Sequence, residues 1–126
     1  LSGSESKKKN YEILINRLIK MNAKNIEIII FGIENTYVKF LRSISPYKIK
    51  IIDSSKNTIE EFLESIDYMV NISKDEGFCR PIAYANLAGI KLITIETPVM
   101  REFYNNSNTY FFKEYNELVN FIVSNN

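Results

Sequence analysis

An α/β fold, with a Rossmann-like open parallel sheet of about six strands and helices on both faces, is the class this sequence predicts. Three observations predict it. Short apolar runs that suit strands alternate with stretches of helical spacing along the whole chain. The run at residues 26–31 is apolar except for Glu27, the composition of a strand buried on both faces. Turn and capping residues, among them Pro46, the Asp-Ser-Ser run at 53–55 and Gly89, punctuate the joins.

Leu1, followed by Ser2, Gly3 and Ser4, fits the last residue of a strand and the turn after it. Residues 9–21 carry Tyr11, Leu14, Ile15, Leu18 and Ile19 at helical spacing, with lysines and asparagines opposite. The 26–31 strand stops at Gly32. Asn35 then caps a helix running to Ile44, with Tyr37, Phe40, Leu41 and Ile44 as its inner face, and Pro46 ends it. Residues 49–52 form the next strand, interrupted only by Lys50. Residues 58–66 return to helix on Ile59, Phe62, Leu63 and Ile66. After Gly89 come a strand at 91–95, a short helix at 98–104, a short strand at 109–112 and a closing helix at 114–123. Tyr115, Leu118, Val119 and Ile122 form the inner face of that last helix.

The stretch at 68–89 organises the rest. Residues 68–72 read as a strand, 73–78 as a loop, and Pro81 onward as a helix closed by Gly89. In an open parallel sheet, ligands gather where strand carboxyl ends meet helix N-termini, and the loop beginning at Ser73 falls there. Its acids, Asp75 and Glu76, either complement the helix dipole or face a ligand. Asn71, at the strand end, is open between a satisfied polar group and a ligand contact.

With 126 residues the chain is expected to be one domain, 1–126, with no second lobe. Hydrophobic residues at 45% and charged residues at 25% are ordinary for a soluble globular protein. A net charge of +1, with Lys7 to Lys9 the one basic run, offers no case for nucleic acid or an anionic membrane. Zero histidines remove the commonest general base and metal ligand. The single cysteine, Cys79, forms no internal disulfide and reads as a small residue near a helix start. No apolar run reaches the ~20 residues that span a membrane, and the N-terminus lacks an apolar signal region. A cytoplasmic, reducing compartment is therefore the expectation. The glycine-rich dinucleotide and NTPase loops are absent.

Specific residues carry a resemblance. Residues 66–70, then Ser73, Glu76-Gly77-Phe78, Pro81, Ala85 and Gly89, follow the spacing of a strand, a serine, a Glu-Gly-Phe-Gly loop and a Glu-Ala-Met-Ala-x-Gly helix. Glu102 stands where an acid follows the next strand's loop, and Gly3 and Lys9 match a Gly-Arg-x-x-x-x-Lys-Gly segment. Over essentially all its length the chain thus resembles the C-terminal, donor-binding lobe of group-1 retaining glycosyltransferases, enzymes of the two-lobed GT-B type.

The resemblance implies transfer of a sugar, with retention, from a nucleotide diphosphate sugar to a carbohydrate or glycolipid acceptor, as part of a longer chain or complex with an N-terminal lobe. Glu76 would be the catalytic-site carboxylate, at the sugar hydroxyls. Backbone N–H groups of Gly77, Phe78 and Cys79 would meet the diphosphate, with Lys9 beside it. Ser73, Tyr84 and Glu102 would complete the substrate site. No metal or other cofactor is implied, and a glycolipid acceptor would place the protein peripherally at a membrane.

The sequence departs from that pattern at several positions. Tyr84 replaces the second glutamate, and a phenol cannot take a ribose diol bidentately. Ser4 replaces the arginine, Cys79 the last glycine of the loop, and Glu96-Thr97-Pro98 a glycine pair. Each candidate also has a plainer role: Lys9 as a solvated helix-start lysine, Tyr84 packed against the sheet, Glu102 in a first helical turn. Tyr84 and Ser4 favour an alternative, a non-catalytic relative that binds a partner or carbohydrate. A receiver-like signalling domain is a third class. It needs an acidic cluster, toward which Asp53 alone is insufficient.

Overall fold

A computed structural model describes residues 11–73 and 80–125. Along this part of the chain helix and strand alternate: α1 (Tyr11–Lys20), β1 (Glu27–Gly32), α2 (Thr36–Ile44), β2 (Lys48–Asp53), α3 (Ile59–Glu64), β3 (Tyr68–Asn71), α4 (Arg80–Leu87), β4 (Lys91–Ile95), α5 (Pro98–Tyr104), β5 (Thr109–Phe112) and α6 (Tyr115–Ser124).

Local chemistry sets the element boundaries. At the head of α2 the Asn35 side chain accepts from the Val38 N–H at 2.9 Å, as its capping role predicts. A capping box opens α3, where Thr58 accepts from the Glu61 N–H and Glu61 accepts from the Thr58 N–H. Thr97 accepts from the Met100 N–H, with Pro98 in the first turn of α5. At the end of α4, the Ile90 N–H reaches the Ala85 carbonyl and the Gly89 N–H the Asn86 carbonyl, with Gly89 at φ +78. This is the paired closure that favours glycine in the left-handed region. Asn22, at φ 54, closes α1 in the same way.

Every pairing among the described strands is parallel. β1 pairs with β2 from Glu27↔Lys48 to Gly32↔Asp53, β3 with β4 from Tyr68↔Lys91 to Asn71↔Thr94, and β4 with β5. The described residues hold five strands in two sheets, β1-β2 and β3-β4-β5, where one sheet of about six strands was expected. Apolar periodicity locates strands but says nothing about which strand lies beside which.

Two apolar layers cover the sheets, and each spans both of them. One contains Leu14, Ile15 and Leu18 of α1, Tyr37 and Leu41 of α2, and Leu118 and Val119 of α6 over Ile28, Ile30, Ile49, Ile93 and Ile95. The other contains Phe62 of α3, Ile82 and Ala85 of α4, and Met100 and Tyr104 of α5 over Ile52, Met69 and Leu92. Alternate residues of a strand enter opposite layers, as the pleat requires: Ile28 and Ile30 join the first, Ile29 and Phe31 the second. Helices therefore cover both faces, as predicted. The inner face of α2 is a correction, because Phe40 is 46% exposed while Val38 is fully buried. Both positions fit a helical stripe, and the small rotation that selects Val38 depends on packing against a sheet.

Candidate functional site

The site the sequence points to lies at the carboxyl end of β3. Because β3 and β4 are parallel and in register, Asn71 and Thr94 sit side by side, and both are buried. The Asn71 Nδ2 donates to Thr94 Oγ1 at 3.1 Å and to the Ser73 carbonyl at 3.3 Å. Its Oδ1 accepts from the Ser73 N–H at 3.3 Å. The Thr94 hydroxyl donates on to the Ile95 carbonyl at 2.9 Å, and the Tyr115 hydroxyl donates to the Ile72 carbonyl at 3.1 Å. A buried amide is costly unless satisfied, so this network fixes the direction in which the chain leaves β3. Asn71 is thus a satisfied polar group at the end of β3, the first of the two readings the sequence left open.

Ser73 is 2% exposed, buried at the end of β3 rather than facing solvent. Lys9, Glu76, Gly77, Phe78 and Cys79 lie outside the described residues, as do Gly3 and Ser4. Arg80 is the exposed first residue of α4. Tyr84 lies four residues further, on the same face of that helix, and is 43% exposed. Its expected packing against the sheet is therefore corrected, since Ile82 and Ala85 take the inward positions. Glu102 is exposed on α5. None of Ser73, Tyr84 and Glu102 is hydrogen-bonded to another; Ser73 belongs to the strand end, and the other two to separate helix surfaces.

Sequence reasoning passed over two cations. Arg80 makes no hydrogen bond or ion pair with any described residue, and its place at the head of α4 puts positive charge where the helix dipole already favours an anion. Arg101 donates from Nε to Glu96 Oε1 at 2.6 Å and lies over the Phe111 ring at 3.9 Å. That pair neutralises Glu96, the carboxylate standing where a glycine was expected. The signal for the pair was the five-residue separation across a capped helix start, which no simple periodicity highlights.

The carboxyl end of β2 is arranged differently. The Asp53 carboxylate accepts from the Ser55 hydroxyl at 2.6 Å and the Ser55 N–H at 2.8 Å, and these bonds lower its pKa below the usual carboxylate range. On α2, burial and the neighbouring Glu12 carboxylate hold the Tyr37 phenol far above its ordinary value, so it stays a donor to Glu12. Among the described residues no three acidic or cysteine side chains gather as a metal site, and no helix is long and apolar enough to cross a membrane.

No protein-family model matches the chain, and no curated protein matches it.

Proposed function

We propose that this chain is the donor-binding domain of a retaining glycosyltransferase, built on one Rossmann-like sheet of about six strands and taking a nucleotide diphosphate sugar at the carboxyl end of β3. One observation carries the reading. The chain steps from β1 to β2 in one direction under α2, and from β3 through β4 to β5 under helices of the opposite layer. Where the winding reverses, neighbouring crossovers part and leave a crevice at the strand carboxyl ends, the usual place for a ligand in such sheets. β3 stands at that reversal and α4 is the next described element, so the residues between them in the sequence, 74–79, are the proposed donor-binding segment.

The residues support the chemistry in distinct ways. The Asn71 network anchors the start of the loop, and α4 with Arg80 provides positive potential for a diphosphate at its end. Glu76 supplies a carboxylate that accepts sugar hydroxyls, and Gly77 allows close backbone approach. Tyr84, exposed one turn beyond Arg80, is the residue proposed to meet the nucleoside. Lys9, Phe78, Cys79 and Glu102 complete the proposed set, and the acceptor would be held by a second lobe.

Calorimetry with UDP- and GDP-sugars tests this. Glu76→Gln is expected to weaken donor binding by roughly 1–3 kcal/mol, the scale of a lost charged hydrogen bond, with little change in melting temperature. Tyr84→Glu is expected to strengthen it. Absence of any nucleotide-sugar binding by the parent chain would replace this reading with a non-catalytic binding domain, which the phenol at position 84 favours.

A further inference from the structure

Among the described strands, β2 and β5 each pair on one side only, and they present their outer edges in opposite ways. In β2 the Ser54 N–H donates to the Gly32 carbonyl at 3.0 Å, so the even residues bond to β1 and the odd ones face outward. That edge is guarded. Arg42 donates from Nε to the outward Ile49 carbonyl at 3.3 Å, and Lys48 and Lys50 stand exposed on one face of the strand. Lysines along an edge bar pairing with a like strand, because two β2 strands meeting side by side would crowd their lysines together.

β5 has neither device. The Leu92 N–H donates to the Asn108 carbonyl at 2.9 Å and the Glu96 N–H to the Phe112 carbonyl at 2.8 Å. The even residues of β5 therefore bond to β4, and Thr109 and Phe111 face outward. The Thr109 N–H is taken by the Asn106 carbonyl at 3.2 Å. The Thr109 carbonyl and both backbone groups of Phe111 meet no partner among the described residues. Thr109–Phe112 carries no charge, and all four of its residues are half-buried, so the edge leaves aromatic surface and unpaired backbone groups in water together.

The pattern of free groups is self-complementary. In a second copy placed antiparallel about a two-fold axis at Phe111, the two Phe111 residues exchange N–H to carbonyl bonds, and the Lys113 N–H of each copy meets the Thr109 carbonyl of the other. The Thr109 N–H, already used, is not required. Tyr110 then faces Phe112 of the second copy as a close aromatic pair. That pair extends the cluster in which the Phe121 ring of α6 lies 4.8 Å from Tyr110 and 5.3 Å from Phe112. Charge does not oppose the arrangement. Lys113 lies opposite the uncharged Thr109 of the other copy, and Arg101, over the Phe111 ring at 3.9 Å, is neutralised by Glu96.

We propose that β5 is a self-association surface, through which two copies of this chain pair antiparallel about a two-fold axis at Phe111 and join their β3-β4-β5 sheets into one. The guarded edge of β2 stays outside the interface. The pairing is independent of the donor-site reading.

Sedimentation of the 126-residue chain and hydrogen exchange resolved by residue, both from micromolar to millimolar concentration, test it. The chain is expected to pass from monomer to dimer as concentration rises. The Phe111 amide is expected to exchange about tenfold more slowly at the upper end, while the Ile51 amide, which faces outward from β2, keeps its rate. Phe111→Lys sets like charges against each other at the axis and is expected to leave the chain monomeric. A cross-link reads the register even where that variant fails to fold. With Cys79→Ser throughout, a mixture of Tyr110→Cys and Phe112→Cys chains is expected to form disulfide-linked pairs about tenfold faster than either alone, since the two-fold sets position 110 opposite position 112. A monomer at every concentration, a folded Phe111→Lys chain that dimerises as the parent does, slowed exchange at Ile51 in place of Phe111, or a mixture that links no faster than its components overturns the proposal. Nucleotide-sugar affinity decides the donor-site reading separately.

Discussion

The β1-β2 half and the β3-β4-β5 half are built from the same strand-helix unit but differ in what they bury. In the first, the buried strand side chains are isoleucines, Ile28, Ile30, Ile49 and Ile52, and the polar groups at strand ends stay near solvent: Asp53 with Ser55, and Glu34 with Arg42. In the second, Asn71, Ser73, Thr94 and Thr97 are all buried at or beside strand carboxyl ends. A buried polar group gains little over an apolar one of the same shape, but leaving it unsatisfied is expensive. Its value is therefore directional: it permits one backbone path out of the strand and penalises the rest. The first half contributes mainly stability; the second also fixes the path of the chain through Ile72 and Ser73.

The largest expected effect tests the first part of that contrast. Ile30 is fully buried in β1, and Ile30→Ala is expected to cost about 2–5 kcal/mol in urea unfolding, through lost burial and the cavity left behind. On the proposed donor-site reading, the variant below its unfolding transition should keep the parent's affinity for a nucleotide sugar. A large loss of affinity with the fold intact would break the comparison, because the apolar half would then be shaping the site.

Asn71→Ala comes next and tests the second part. It leaves Thr94 Oγ1 and the Ser73 N–H without their Asn71 partner inside the protein, an expected cost of about 1–3 kcal/mol. The distinguishing result is that donor affinity falls as well, measured by calorimetry at a temperature where the variant is folded. Lost stability with unchanged affinity would mean that the network holds the strand end but does not aim the loop.

Much of this layout is legible in the sequence for identifiable reasons. The 26–31 run becomes a strand because every residue but Glu27 is apolar, and the 91–95 run because Leu92, Ile93 and Ile95 are apolar and the β-branched Thr94 is buried with them. Asn35, Thr97-Pro98 and Gly89 mark helix ends because each answers a backbone need within four residues of itself. Long-range relations are not legible in this way. Nothing local in Ile28 or Val70 states that they line one cavity, and nothing local in Phe40 states that α2 turns Val38 inward instead. The site shows the same division. Ser73 and the start of α4 are placed where their spacing predicts, whereas the bonding of Asn71 to Thr94 and of Glu96 to Arg101 depends on register and packing.

Gly89→Ala probes local structure alone. At φ +78 any side chain is strained, but a Cβ there meets nothing within 4 Å. The expected loss is therefore the conformational cost alone, about 1 kcal/mol, seen as a lower urea midpoint with unchanged donor affinity. A much larger loss would place the end of α4 among the elements that organise the second half.

The smallest expected effect concerns Asp53, and it sharpens the contrast because this acid ends a strand as Asn71 does while remaining near solvent. Its pKa is lowered by the Ser55 hydroxyl and N–H, with Lys56 helping and partial desolvation opposing. A carboxyl whose folded pKa lies below its unfolded value stabilises the fold above the unfolded value, and that contribution disappears as pH falls through the folded one. Lys56 and Asn57 also close this turn by donating to the Asp53 carbonyl, so the chain path does not depend on the carboxylate. Ser55→Ala removes the hydroxyl donor and keeps the N–H, so the Asp53 pKa is expected to rise toward, but not reach, the ordinary carboxylate range in a carbon-detected titration. Near neutral pH the variant should be slightly less stable than the parent. The difference should shrink on acidification and vanish once Asp53 is protonated in both folded and unfolded chains. A stability difference that persists unchanged at low pH would assign Ser55 to the turn's backbone geometry instead, making the end of β2 resemble the end of β3 more than the buried residues indicate.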